Sequence, residues 1–240
     1  MSTAAFDHQP SAALITPPDH ITSGFEIFPA VLDQHDIAAA AAAFQEDGLE
    51  RSRAGARHLM RHPTVQQVAL DPRLVALACR FLGPSAIPFR ATLFDKSPDR
   101  NWLVVWHQDT ALPLRDRRDV SGWGPWSVKA GITYAHAPAA ALSRVIALRL
   151  HIDDSCLDNG PLRVLPETHT RGVLSDAEVA QLARDVQAVD CVAPAGGVVA
   201  MRPLLVHASS KAETDQRRRV LHVEYADSLD LRAGLELAIA

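Results

Sequence analysis

FRATLFDK (89–96), WLVVWHQD (102–109), RVIALRLHID (144–153), GPLRVLP (160–166), GGVVAMRPLLVH (196–207) and RRVLHVEYAD (218–227) set the architecture of this chain. Each is a short run rich in β-branched or aromatic residues, and Pro, Gly, Asp and Asn punctuate the gaps between them. Such a series predicts an all-β sandwich over the C-terminal two-thirds. What precedes it reads as helical. Asp33 to Glu50 is alanine-rich, with a cap at Asp33 and a stop at Gly48. Pro72 to Leu82 follows Asp71, carries Leu74, Leu77, Ala78 and Phe81 at helical spacing, and stops at Gly83-Pro84. One further helix is expected between Leu174 and Ala188, capped by Ser175 with Glu178 three residues on. Helices first and strands afterwards, without strict alternation, predict antiparallel sheets with helices packed outside them.

At 240 residues, 48% hydrophobic and 22% charged, the chain has the composition of a globular protein able to bury a large core. A formal charge of −4 provides no basic field for phosphates, so nucleic acid is not an expected partner. The alanine-rich run is the longest apolar stretch and is far shorter than a membrane span, so no membrane partner is expected either. Cys79, Cys156 and Cys191 have no CxxC spacing, which argues against a disulfide framework or thiolate zinc and for a cytoplasmic setting. Residues 1–24 lack the pattern of a secretory signal and read as a loose, proline-containing arm, leaving 25–240 as a single domain.

The chemistry starts at the end of WLVVWHQD. His107 and Asp109 are two residues apart in a strand, so both side chains return to one face. His207 ends the run VVAMRPLLVH about a hundred residues later and supplies a third ligand. Two imidazoles and a carboxylate on one face of an octahedron leave three positions open, which suits non-haem Fe(II) that must also bind a keto acid and O2. Ser209 lies two residues beyond His207, and Arg217, Arg218 and Arg219 open the next strand. One guanidinium there can grip the far carboxylate of 2-oxoglutarate as a bidentate pair. Strand parity puts Arg218, Val220 and His222 on one face and Arg219, Leu221 and Val223 on the other, and only one face can line a pocket.

These segments resemble a known family. HQD, then LRLHIDDSCLDNGPLRVLPETHTRG (148–172), then VHASS with RRRVLHVEY, are similar to the phytanoyl-CoA dioxygenase family of Fe(II)/2-oxoglutarate oxygenases. The similarity runs from about Ala91 to Ala226, and NGPLRVLPETH is its most specific piece. It implies a mainly β double-stranded β-helix (a cupin-like jelly roll) with flanking helices. It also implies His107, Asp109 and His207 as metal ligands, and Arg218 with Ser209 as the 2-oxoglutarate site. Relatives often carry proline at the position of Arg217. Members that halogenate lack the carboxylate, so Asp109 points to hydroxylation of a small molecule.

By the same resemblance Arg149 falls at a pocket-lining position, where it would meet an anionic group on the substrate. The loop 110–131 matches a variable lid, with Thr110 and Trp126 as expected substrate contacts. Trp102 and Trp106 are expected in the core of the metal strand, and His136, His151, His169 and His222 in structural roles. Two alternatives stay open: a cupin-like metalloprotein without 2-oxoglutarate chemistry, and a non-catalytic jelly-roll ligand binder.

Overall fold

The computed structural model describes residues 21–44, 51–52 and 55–240. Along the chain come β1 (Phe25–Phe28), α1 (Gln34–Ala43), β2 (Arg51–Ser52), β3 (Gly55–Ala56), α2 (Pro63–Ala69), α3 (Pro72–Leu82) and β4 (Ile87–Lys96). Then follow β5 (Val104–His107), β6 (Ala111–Leu114), β7 (Trp126–Lys129), β8 (Ile132–His136), α4 (Ala139–Leu142) and β9 (Val145–His151). The last elements are β10 (Leu162–Val164), α5 (Asp176–Asp185), β11 (Val189–Cys191), β12 (Val198–Met201), β13 (His207–Ser209) and β14 (Arg218–Ala226).

Among the described residues the strands form a major sheet ordered β1-β12-β9-β14-β4-β3-β2, a minor sheet β11-β10-β13-β5 and a small sheet β6-β8-β7. All named pairings are antiparallel. The two larger sheets form the expected jelly roll; α5 packs against β5 of the minor one, and α1, α2 and α3 pack on the outer face of the major one. There Ile146, Leu148 and Leu150 of β9 and Leu221, Val223 and Tyr225 of β14 meet Leu74, Leu77 and Phe81 of α3 in one core cluster. Fully burying each such side chain is worth roughly 1.5–3 kcal/mol. The alternate residues of the same strands face the other way, into the space between the sheets.

Local signals explain the helices. Asp71 accepts from the Arg73 backbone N–H at 2.8 Å, Pro72 opens α3, and Gly83 closes it with φ +86°. α5 carries the expected reciprocal cap between Ser175 and Glu178. α1 is capped by Asp33 as expected but ends at Ala43 rather than near Gly48. The rest of that expected helix, 45–50, lies outside the described residues, as do residues 1–20 of the expected arm. Ile21, also assigned to the arm, is buried in the core under the helices.

One expected strand divides. VVAMRPLLVH is not continuous: β12 stops at Met201 and β13 starts at His207, and the two belong to different sheets. Pro203 has no N–H for a ladder, and Leu205 donates back to the Arg202 carbonyl at 3.1 Å, so the chain turns from one sheet to the other here. The loop 110–131 likewise forms structure of its own, with β6 and β7 flanking β8.

Candidate active site

His107 is the last residue of β5 and His207 the first of β13, and the ladder pairs them directly. Their rings lie 4.2 Å apart centre to centre. Asp109 follows after Gln108, whose side chain points elsewhere: it donates to the Gly172 and Leu204 carbonyls at 2.9 and 2.7 Å and accepts from Leu174 N–H at 2.8 Å. Gln108 thus staples the end of β5 to two loops, and the Asp109 N–H is tied to the Pro203 carbonyl at 2.9 Å. The Asp109 carboxylate then lies 3.8 Å from His107 Nε2 and 3.6 Å from His207 Nε2.

All three potential ligand atoms fall within 4.8 Å of one another. The Nδ1 of His107 lies 2.8 Å from the Val105 carbonyl and that of His207 2.8 Å from the Leu205 carbonyl. Each Nδ1 therefore carries the hydrogen, and each Nε2 turns a lone pair to the site. Burial, partly opposed by Asp109, pushes His207 down to about 4, so it stays neutral. Burial would raise the Asp109 carboxyl, but His207, His107, His222 and Arg90 hold it well below the usual carboxylate range. Two imidazoles with their Nε2 atoms turned inward and an ionised carboxylate form a donor set suited to one divalent ion with open coordination positions.

A second polar cluster lies at the β4–β14 end of the cavity. Arg218 is 3% exposed, donates through Nε to the Asn159 carbonyl at 3.2 Å, and leaves Nη1 buried without a partner. The neighbouring arginines are committed elsewhere: Arg217 pairs with Asp95 and Arg219 with Asp153, both through two hydrogen bonds. Parity thus selects Arg218 from the three. Directly opposite it in the ladder is Lys96, whose ammonium donates to Ser209 Oγ at 2.8 Å and to the Ser210 carbonyl. Burial, with Arg218 and Arg149 nearby, lowers Lys96 to about 7. The Asn159-Gly160 turn braces this cluster, since the Gly160 carbonyl accepts from Ser209 Oγ at 2.9 Å. A Cβ on Gly160, whose φ is +67°, would lie 2.5 Å from the Ser210 carbonyl oxygen and 2.9 Å from Lys96 Nζ.

Between the two clusters opens a cavity of about 540 Å³, within the range of small-molecule sites. Arg149 lines it, donating to His222 Nδ1 at 3.1 Å and lying 5.2 Å from the Phe94 ring centre, with Nε unpartnered. Thr110 and Trp126 do not line it. The Thr110 hydroxyl is bonded to His136 Nδ1 at 2.7 Å, and Trp126 packs with Val120 and Trp123 against a separate core, beneath Arg117. Trp102, expected in the core, lines the cavity instead, because it precedes β5 and lies outside its ladder. Trp106 packs beside the cluster under α5, as expected of a core residue.

A family model described as phytanoyl-CoA dioxygenase (PhyH) matches residues 26–220, most of the chain and every residue of both clusters. The chain belongs to the phytanoyl-CoA dioxygenase family. An L-proline trans-4-hydroxylase of Streptomyces griseoviridis is 26% identical over 180 residues, which are 64% of this chain and 59% of that protein. The chain thus spans less than two-thirds of that relative's length. The crystal structure of AviO1 from Streptomyces viridochromogenes superposes with a TM-score of 0.62 at 25% identity, covering 88% of this chain and 92% of that one. The 2-oxoglutarate-dependent carbocyclase SnoK of nogalamycin biosynthesis shares the fold, with a TM-score of 0.66 at 19% identity over 89% of this chain and 85% of that one.

Within this phytanoyl-CoA dioxygenase-family chain, Lys96 and Arg90 are the site residues that sequence reasoning overlooked. The signal was present. Arg90, Thr92, Phe94 and Lys96 alternate along FRATLFDK and share the face that lines the cavity.

Proposed function

We propose that this chain is an Fe(II)- and 2-oxoglutarate-dependent dioxygenase that hydroxylates a C–H bond of a small molecule. His107, Asp109 and His207 hold the iron, and Arg218, with Ser209 and Lys96, holds the distal carboxylate of 2-oxoglutarate. The observation that carries this is the pairing of the two clusters: a three-ligand face with both Nε2 atoms freed, and a buried guanidinium whose Nη1 has no partner among the described residues. When bound, iron and 2-oxoglutarate supply the oxidising chemistry, converting O2 and 2-oxoglutarate to succinate, CO2 and one oxygen atom inserted into the substrate.

The protein's own part is placement. Nδ1–H bonds to the strand carbonyls fix both imidazole planes, Gln108 fixes the β5 end, and the Asn159-Gly160 turn fixes Ser209 against Lys96. The low-lying Lys96 ammonium and the unsatisfied Arg218 each gain a counter-charge from a dicarboxylate, so the cosubstrate removes a cost that the empty fold carries. No side chain is needed as general base, and the Asp109 carboxylate occupies the position that a halide would need. The three unpaired cysteines support a reducing, cytoplasmic setting. Among the described residues no helix is long and apolar enough to cross a membrane.

The test is succinate formation by the purified protein with Fe(II), ascorbate and 2-oxoglutarate under air, alongside His107→Ala and Arg218→Ala. Succinate that needs both residues is the expected result. Absence of both succinate and 2-oxoglutarate binding would overturn the proposal and leave a metalloprotein without 2-oxoglutarate chemistry, or a non-catalytic ligand binder.

A further inference from the structure

Loading iron and 2-oxoglutarate as proposed above does not balance the charge of this cavity. On a chain of formal charge −4, its lining among the described residues includes Arg57, Arg90, Lys96, Lys129, Arg149 and Arg218 against the single carboxylate of Asp109. Lys96 and Arg218 are answered by the distal carboxylate, and Asp109 by the metal. Arg90 is answered by the buried Glu224, with which its Nε forms an ion pair. That leaves Arg57, Lys129 and Arg149, none of which has a carboxylate partner among the described residues.

Two of these three stand together. Arg57, just after β3, and Lys129, at the end of β7, stand at the rim, where both are exposed. Lys129 lies 4.9 Å from the centre of the Tyr134 ring, with Arg90 6.0 Å from the same ring and the Tyr134 hydroxyl 2.8 Å from His58 Nε2. Partial burial and the charges of Arg57 and Arg90, partly opposed by Asp109, push Lys129 below its ordinary value, as expected where cations crowd together. Arg149 is nearly fully buried below, at 7% exposure. Beyond the field of Asp109 it has no carboxylate partner among the described residues, and burying such a charge is costly, so it favours an anion in the cavity.

The wall contributed by the approach to β5 has the opposite character. Trp102, Leu103 and Val105 line the same cavity, and Leu103 and Val105 are 59% and 68% exposed. One cavity that carries both an apolar wall and a cationic rim selects for a molecule with two unlike ends.

We infer that the substrate is an amphipathic organic anion, whose carboxylate or phosphate group is held by Arg57 and Lys129 at the rim and whose apolar part lies on Trp102, Leu103 and Val105. Arg149 adds positive potential from the floor of the cavity. The inference rests on the iron and 2-oxoglutarate assignment, which commits Lys96 and Arg218 elsewhere.

The test uses protein loaded anaerobically with Fe(II) and saturating 2-oxoglutarate, titrated with three probes of one skeleton: 4-phenylbutanoate, 3-phenylpropyl phosphate and the neutral 4-phenylbutanamide. At least one anion should bind about tenfold more tightly than the amide, with the preference shrinking as salt is raised. Whichever anion gains more identifies the acidic group. The double variant Arg57→Ser/Lys129→Ser should lose the preference while 2-oxoglutarate affinity is unchanged. Both positions are exposed, so the fold is not at stake. Equal affinity for anion and amide, a preference that survives the double variant, or no binding of any probe to protein that has taken up 2-oxoglutarate would each overturn the inference. Failure of 2-oxoglutarate itself to bind would instead strike the functional assignment, and this inference would fall with it.

Discussion

Replacing Arg218 by Met should move cosubstrate affinity and protein stability in opposite directions. The guanidinium is 3% exposed, and burial, then the Arg149 charge, hold it down to about 9, well below its ordinary value. A base whose value is lowered on folding destabilises the fold at every pH below that lowered value, and the cost is relieved only as pH rises from about 9 towards the group's ordinary value. At neutral pH the free protein therefore bears an electrostatic cost on the order of a few kcal/mol. Methionine keeps most of the stem volume and removes that charge, so the thermal midpoint of the free protein should stay level or rise. With 2-oxoglutarate present the sign reverses. Losing one partner of a buried, hydrogen-bonded charge pair costs about 3–5 kcal/mol, or roughly a hundredfold to several thousandfold in Kd. Calorimetric titration of 2-oxoglutarate into Mn(II)-loaded protein without air, with thermal unfolding of the metal-free protein, measures both. A Kd within about threefold of the unsubstituted protein, corresponding to less than about 1 kcal/mol, would refute the assignment of Arg218.

Gly160→Ala should weaken 2-oxoglutarate binding without touching the metal ligands, because the added Cβ meets the Ser210 carbonyl and Lys96 Nζ at 2.5 and 2.9 Å. Metal titration should be unchanged while the cosubstrate titration weakens by about tenfold or more, the effect of roughly 1.4 kcal/mol of displacement. Lys96, lowered to about 7, must be protonated to pair with a carboxylate, so 2-oxoglutarate affinity should fall as pH rises above about 7, and Lys96→Met should flatten that profile. Binding should take up a proton, visible as a dependence of the calorimetric heat on the ionisation enthalpy of the buffer. Gln108→Ala removes three hydrogen bonds that hold the β5 end and should lower metal affinity by about 10- to 100-fold while the chain stays folded, as followed by Fe(II) titration and circular dichroism. Leu74→Ala in α3, at 0% exposure, should cost about 2–5 kcal/mol in denaturant unfolding.

Periodicity and punctuation carried most of the fold. α3 begins and ends where Pro72 and Gly83 say it should, and the alternation in RRVLHVEYAD separates Leu221, Val223 and Tyr225, under the helices, from Arg218 and His222, which face the other way. The site was legible where its members lie close in sequence or share strand parity, which is why His107, Asp109, His207, Ser209 and Arg218 fall together. Two kinds of information were not local. The break of VVAMRPLLVH into strands of two sheets depends on how Arg202 to Val206 turn between them, and a β-branched run looks the same whether one sheet or two receives it. Whether a side chain such as Thr110 or Trp126 reaches the cavity depends on the small sheet β6-β8-β7, whose pairing a loop-like sequence with Pro113 and Pro125 does not announce. Lys96 was overlooked for a different reason. A lysine at a strand end ordinarily marks a solvated edge, and only its ladder position opposite Arg218 makes it part of the site.

The central claim is one iron on His107, Asp109 and His207 with 2-oxoglutarate reaching from it to Arg218. The most direct measurement is an anomalous-scattering map at the iron edge from crystals grown anaerobically with Fe(II) and 2-oxoglutarate. A single iron peak within coordination distance of both Nε2 atoms and the Asp109 carboxylate, with density continuing to the Arg218 guanidinium, is the predicted result. Iron elsewhere, or 2-oxoglutarate bound away from Arg218, would contradict the account.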